Sequence, residues 1–117
     1  MIIALIAAYV FYGVAVALDV RASERGFAAG FVEGNSVVHS IFGGKPTTFQ
    51  LLAYNVAWAV LVSVPMMLTQ NEAIVGATFG ALLAASGKHL VAVRKWAQVM
   101  AGVHKQPTSI VGKIIGL

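Results

Sequence analysis

Three long apolar runs in a chain of 117 residues constrain the fold more than any other feature of this sequence. They cover residues 1–18, 49–68 and 73–93. Each run is close to the roughly 20 residues that a helix needs to cross a bilayer core. Charged residues make up only 10% of the chain, and a soluble chain this short could not bury so much apolar surface in one core. The sequence therefore predicts an integral membrane protein.

The runs predict an all-α fold, an integral membrane bundle in a single domain over residues 1–117. We expect three transmembrane helices, a short interfacial helix and an amphipathic, basic C-terminal helix. Their expected positions are about 2–20, 48–69 and 73–93 for the spans, 26–44 for the interfacial segment and 94–117 for the tail. The first run begins without Lys or Arg, so we expect a retained span rather than a cleaved signal peptide.

Residues 26–44 are mostly apolar but contain five glycines, which disfavour a lipid-exposed helix. We expect Asn35 or Ser36 to cap a short helix that ends at Phe42. Thr47 or Thr48 is expected to cap the second span. The segment is predicted either to lie at the membrane interface or to fold back against the bundle as a re-entrant piece.

The eight basic residues predict an orientation in the membrane. Some lie between the first and second spans and the others at the end of the third span and beyond, whereas residues 69–72 contain none. Basic loops remain on the cytoplasmic side. We therefore expect a multi-pass membrane protein with its N-terminus outside and its C-terminus in the cytoplasm.

The end of the third helix is expected to rest on the membrane surface. Leu90, Val93, Ala97, Met100 and Val103 recur at helical spacing as an apolar stripe. Arg94, Lys95, Trp96 and Lys105 are the predicted anchors to anionic lipid headgroups. The net charge of +4 lies along one predicted membrane face, so acidic lipid is the expected partner and nucleic acid is not.

Small residues mark one face of the third span. Gly76, Gly80 and Ala84 recur every four residues and end at Lys88. Such a face allows another helix to approach closely. We expect Lys88, on the same face, to point into the bundle, where an ammonium group needs a counter-ion.

Asp19, Asn55, Lys88 and His89 are predicted to share one depth near the cytoplasmic face of the membrane. We expect an Asp19–Lys88 ion pair with Asn55 hydrogen-bonded nearby. This polar intramembrane cluster fits a clamp that fixes helix register, or Lys88 reaching up to the interface. A proton or ion relay built from Asp19, Lys88 and His89 is the functional alternative.

A second polar cluster lies in the loop after the first span. It contains Arg21, Glu33 and Asn35. Asn35 is expected to cap a helix, and Glu33 to pair with a nearby arginine or to contact a ligand. The histidines and carboxylates match no established metal-binding spacing, so we expect neither a metal nor a cofactor.

The same region resembles a family of small uncharacterised bacterial membrane proteins. That family has an Asp at the end of its first helix, then Gly positions and a Glu-x-Asn-Pro motif. The corresponding residues here are Asp19, Gly26, Gly30 and Glu33-Gly34-Asn35-Ser36, with Ser36 in place of the proline. The resemblance implies a compact helical bundle with Asp19, Glu33 and Asn35 as its polar signature, and it implies no activity.

The sequence contains no nucleophile elbow, Walker loop or dinucleotide-binding fingerprint. We therefore expect a non-enzymatic accessory or scaffold subunit of a membrane assembly, whose partners are other membrane subunits or further copies of the chain. The alternatives are a homo-oligomeric, holin-like pore and a small ion- or proton-coupled carrier. A pore would need Asn55, Ser63, Thr78 and Ser86 to line water. An enzyme would need Asp19, Glu33 and a histidine in one cavity.

Overall fold

A computed structural model of the protein describes residues 2–102, which form helices joined by short connections. The helices of this range are α1 (Ile2–Ala28), α2 (Ser36–Phe42), α3 (Thr48–Thr69) and α4 (Glu72–Met100). α1, α3 and α4 are long and apolar enough to cross a membrane. The prediction of a helical bundle is confirmed, and so is the prediction of three helices with the length and composition of membrane spans. The expectations for Lys105 and for the rest of residues 103–117 lie outside the described residues.

Side chains at the helix starts set the boundaries of the helices. The Asn35 side chain accepts hydrogen bonds from two backbone N–H groups in the first turn of α2, which confirms the predicted cap. Thr47 and Gln50 form a capping box at the start of α3, with their side chains bonded reciprocally to each other's backbone N–H. Asn71 caps α4 in the same manner as Asn35 caps α2. These polar caps satisfy N–H groups that a helix start leaves without a partner.

α1 runs antiparallel to α3 and parallel to α4. Four side-chain contacts establish these directions: Tyr9 with Ser63, Tyr12 with Asn55, Asp19 with His89, and Phe27 with Trp96. Only Gln70 and Asn71 separate α3 from α4, so those two helices form a hairpin. The bundle measures 45 × 26 × 25 Å, and its long axis exceeds the roughly 30 Å hydrocarbon core of a bilayer.

The face of α4 that packs in the bundle differs from the predicted one. Thr78, Leu82 and Ser86 are buried, and Leu82 is 0% exposed. Gly80 and Ala84 are exposed instead. The hydroxyls of Thr78 and Ser86 donate to carbonyls one turn earlier in α4, so the buried face needs no polar partner from α1. The predicted small-residue face therefore forms no close helix contact within the described part of the chain.

Trp96 is a core residue and not the interfacial anchor that the sequence predicted. It is 4% exposed, and its ring meets Phe27 edge to face at 5.8 Å between centroids. Gly26 makes room for the ring, because a Cβ there would lie within 3.0 Å of three Trp96 atoms. Leu90, Ala97 and Met100, which were expected on the apolar stripe, are exposed. Rotation of α4 about its axis thus places the indole, and not that stripe, against α1.

Candidate functional site

A cavity of about 350 Å³ lies between α1, α3, α4 and the loop before α2. Polar and aromatic side chains from all of these elements line it. They are Tyr12, Asp19, Ser23, Glu33, Asn35, Tyr54, Asn55, Trp58, Lys88, His89, Lys95 and Trp96. The structure thus brings together the predicted intramembrane cluster of Asp19, Asn55, Lys88 and His89, together with Glu33 and Asn35 from the predicted loop cluster.

Asp19 and His89 form the charged centre of the cavity wall. The Oδ2 atom of Asp19 lies 2.6 Å from Nδ1 of His89, and each side chain is 18% exposed. A carboxylate beside Nδ1 favours the tautomer that carries a proton there, and it leaves Nε2 of a neutral ring as an acceptor. Within residues 2–102, Nε2 makes no hydrogen bond. His89 therefore lines the cavity with one ring nitrogen that has no hydrogen-bond partner in the described range.

The predicted Asp19–Lys88 pair is wrong, because Asp19 binds His89. Lys88 is exposed and forms no ion pair with any residue of the described range. Neighbouring residues of a helix point about 100° apart, so Lys88 and His89 cannot both face α1. His89 fits at the α1–α4 seam, whereas the long side chain of Lys88 remains at the edge of the cavity, where its ammonium group stays accessible.

Tyr12 connects α1 to the other two long helices, and the sequence analysis did not identify it. Its hydroxyl donates to the backbone oxygen of Asn55 at 2.9 Å. Its ring stacks on Trp58 at 5.4 Å and meets the edge of His89 at 5.8 Å. Tyr12 precedes Asp19 by two helical turns, which places both on one face of α1. The spacing between Tyr12 and Asp19 was the sequence signal that could have identified Tyr12. It is a weak signal, because an apolar helix with several aromatic residues contains many pairs of residues at the same spacing.

Asn55 bonds to different partners from those predicted. Its amide nitrogen donates to the backbone oxygen of Leu51 at 2.8 Å, one turn earlier in α3. Its side-chain oxygen lies 3.4 Å from the Tyr12 hydroxyl. Asn55 therefore holds Tyr12 in place and forms no hydrogen bond with Asp19 or Lys88.

Glu33 closes the loop between α1 and α2 beside the cavity. Its Oε1 atom accepts a hydrogen bond of 2.8 Å from the backbone N–H of Asn35, and its own N–H donates to Gly44. Burial raises the pKa of the Glu33 carboxyl above its ordinary value of 4.5, and the hydrogen bond from Asn35 opposes that shift. The nearby charge of Asp19 raises this pKa further.

Arg21, the remaining member of the predicted loop cluster, does not form an ion pair with Glu33. Its side chain is exposed, and no ion pair within residues 2–102 involves it. Arg21 does not line the cavity. Glu33 and Asn35 are therefore the two members of this cluster that the structure brings to the candidate site.

The chemistry available to the cavity is limited in two respects. No group of three or more histidine and carboxylate residues in the described range is placed to hold a metal ion. Asp19, Glu33 and His89 do line one cavity, as an enzyme would require. However, no hydroxyl of the described residues is hydrogen-bonded to His89, so a Ser-His-Asp arrangement is not formed there.

No known protein family, curated protein or solved structure matches this chain. The resemblance based on Asp19 and Glu33-Gly34-Asn35 therefore stays a prediction.

Proposed function

We propose that this chain is a non-enzymatic integral membrane protein that acts as an accessory or scaffold subunit of a membrane assembly. The observation that carries the proposal is the open small-residue face of α4. A Cβ added at Gly76 or Gly80 would meet nothing within 4 Å. A helix of another subunit could approach the α4 backbone closely along this face.

The distribution of apolar side chains supports a lipid environment for the bundle. Large apolar residues remain exposed on all three long helices, among them Ile6, Leu61 and Leu83. Contiguous apolar surface of this kind is unusual on a soluble monomer. In the proposed assembly, lipid covers most of this surface and a partner subunit covers the Gly76–Gly80 face.

The proposed orientation places the N-terminus outside and the C-terminus in the cytoplasm. Arg21, Arg25 and Lys45 lie near the end of the bundle where α1 stops and α3 starts. Arg94 and Lys95 lie near the last turns of α4, at that same end. These five cations would face anionic headgroups of the cytoplasmic leaflet, whereas the α3–α4 connection has no basic residue.

Purification from the native membrane tests the subunit proposal. The tagged chain is released in mild detergent, and the mass and composition of the complex are measured. We expect stoichiometric association with other polypeptides, lost in Gly80→Leu and retained in Gly13→Leu. Gly13 is the matched control, because a Cβ there also meets nothing within 4 Å but lies on α1. A chain that purifies alone, or equal association of both variants, would contradict the proposal.

The holin-like alternative receives little support from the packing. Asn55, Ser63, Thr78 and Ser86 are all buried, and each donates to a carbonyl of its own helix. A water-filled pore between copies would need such groups on the outer surface. We therefore rank a pore below the subunit proposal.

An ion- or proton-coupled carrier is the second candidate, and the Asp19–His89 contact favours it. Paired ionisable side chains inside a membrane protein are a common basis of proton relays. In proteoliposomes loaded with a pH-sensitive dye, a carrier would move protons in the wild type and in Glu24→Gln. It would fail to do so in Asp19→Asn. Absence of proton movement in the wild type under a substrate and ion screen would remove this candidate.

A further inference from the structure

The ionisable side chains line the outer and middle parts of the cavity, and aromatic and small apolar side chains contribute most of its deeper part. Its α4 wall extends from Ala81 to Trp96, or about 22 Å at 1.5 Å per residue. Glu33 and Lys95 lie toward the end of the bundle where α1 stops, and Tyr12 and Trp58 lie deeper. A molecule that enters the cavity would therefore place its charged groups toward the end of the bundle where α1 stops.

Charged side chains of both signs line the wall. Two carboxylates, Asp19 and Glu33, and two ammonium groups, Lys88 and Lys95, line the cavity. A ligand that carried only negative or only positive charge would be repelled by one of these pairs. A ligand that carries both an anionic and a cationic group can satisfy both pairs.

Aromatic rings also contribute to the wall. Tyr54, Trp58 and Trp96 contribute to it, and such rings attract an ammonium group through their faces. On the α4 side, Ala84 and Val91 belong both to the wall and to the exposed apolar surface. The cavity is thus bordered by surface that would contact lipid chains in the proposed membrane.

We propose that this cavity binds a zwitterionic phospholipid whose headgroup carries a primary ammonium and a phosphate. The ammonium lies near Asp19 and Glu33, and the phosphate lies toward Lys88 and Lys95. The acyl chains pass the Ala84–Val91 wall into the bilayer. This binding site goes beyond the subunit function and does not depend on it.

Intrinsic fluorescence provides a direct measurement of binding. The chain has two tryptophans, and both line the cavity. The purified protein in detergent is titrated with short-chain phosphatidylethanolamine. Three probes each lack one part of this lipid. Phosphatidylglycerol lacks the ammonium group, a long-chain alkylammonium lacks the phosphate, and free phosphoethanolamine lacks the acyl chains. We expect a saturable change with phosphatidylethanolamine and at least tenfold weaker responses to the other three.

The four acidic residues of the chain offer matched variants, because two of them line the cavity and two do not. Glu33→Gln keeps an acceptor for the Asn35 N–H but removes the charge. It should weaken phosphatidylethanolamine binding about tenfold, the loss expected when one charge-assisted hydrogen bond is removed. Glu24→Gln, outside the cavity, should bind like the wild type.

Several results would overturn the assignment. The assignment fails if phosphatidylethanolamine gives no saturable response, or if phosphatidylglycerol binds as tightly as phosphatidylethanolamine. It also fails if Glu33→Gln binds phosphatidylethanolamine with the wild-type affinity. Equal binding of free phosphoethanolamine would make the ligand a soluble zwitterion and not a lipid. Native mass spectrometry of the protein released from its membrane adds a second readout, in which the wild type should retain one such lipid and Glu33→Gln should lose it.

Discussion

Asp19 and His89 are 70 positions apart in the chain, and a contact of 2.6 Å joins them across the α1–α4 seam. Each residue type is costly to place between apolar helices without a partner. Together they satisfy each other, and both side chains line the cavity. The sequence predicted that Asp19 would have a partner on α4, but it predicted the neighbouring residue, Lys88.

Replacement of Asp19 tests this pairing. Asp19→Leu should lower the free energy of unfolding by roughly 1–3 kcal/mol, because His89 loses its hydrogen-bond partner in a mostly buried position. Lys88→Met should change it by less than about 0.5 kcal/mol, because Lys88 is exposed and forms no ion pair in the described range. Denaturant titration in detergent measures both. Equal losses in the two variants would contradict the observed pairing.

Glu33 predicts a pH dependence of stability. Burial raises the pKa of its carboxyl in the folded protein above 4.5, so between the two pKa values the folded state binds more protons than the unfolded state. The free energy of unfolding therefore falls as pH rises from about 4.5 through the raised pKa. Glu33→Gln should flatten this slope and raise stability at neutral pH. Glu72→Gln should keep the wild-type slope, and a slope unchanged by Glu33→Gln would show that another group causes it.

At the scale of helices, α1 and α4 approach closely where a glycine faces an indole. Gly26 and Trp96 form this contact, and Phe27 and Phe31 surround the ring. The three helix caps at Asn35, Thr47 and Asn71 set where the other helices begin. Caps depend on residues a few positions apart, whereas the Gly26–Trp96 contact depends on how two distant helices are rotated.

Two glycine-to-alanine changes in α1 should have opposite effects. Gly26→Ala should destabilise the protein by about 1–3 kcal/mol, because the new methyl group overlaps the Trp96 ring. Gly13→Ala should stabilise it by up to about 1 kcal/mol, because its Cβ meets nothing within 4 Å and alanine favours the helix. Thermal unfolding in detergent distinguishes them. If both variants are stabilised, α1 and α4 do not pack in this manner.

The described part of the chain combines long helices that expose many apolar side chains with a cavity that extends from the end of the bundle where α1 stops toward its middle. Three helices have the length and composition to span a membrane, and their directions alternate from α1 to α3 to α4. This arrangement leaves the connection between α1 and α3 at one end of the bundle and the α3–α4 connection at the other.

The absence of cysteine from the chain makes the proposed orientation easy to test. Single cysteines are placed at two exposed positions by Lys45→Cys and Glu72→Cys. A membrane-impermeant maleimide should label the Glu72→Cys variant in intact cells and the Lys45→Cys variant only after permeabilisation, because basic loops stay in the cytoplasm. The opposite pattern would invert the orientation, and labelling of both in intact cells would contradict the three-span arrangement.

Local sequence alone determined the helices and most of their ends. Apolar length identified the three long helices. The caps were predicted to within one residue, as Asn35 or Ser36 and as Thr47 or Thr48, because capping acts within one helical turn. Local sequence also identified six polar residues that line the cavity, since polar groups in apolar runs are conspicuous: Asp19, Asn55, Lys88 and His89 as one cluster, and Glu33 and Asn35 as members of the other.

Only the tertiary structure decided which face of each helix packs. The long helices are apolar on nearly every side, so hydrophobic periodicity does not specify their rotation. Packing placed Leu82 and Trp96 inside, left Gly80 and Ala84 outside, and joined Asp19 to His89 and not to Lys88. The cavity is likewise a product of this rotation, because Tyr12, Trp58 and Glu33 meet there from three separate parts of the chain.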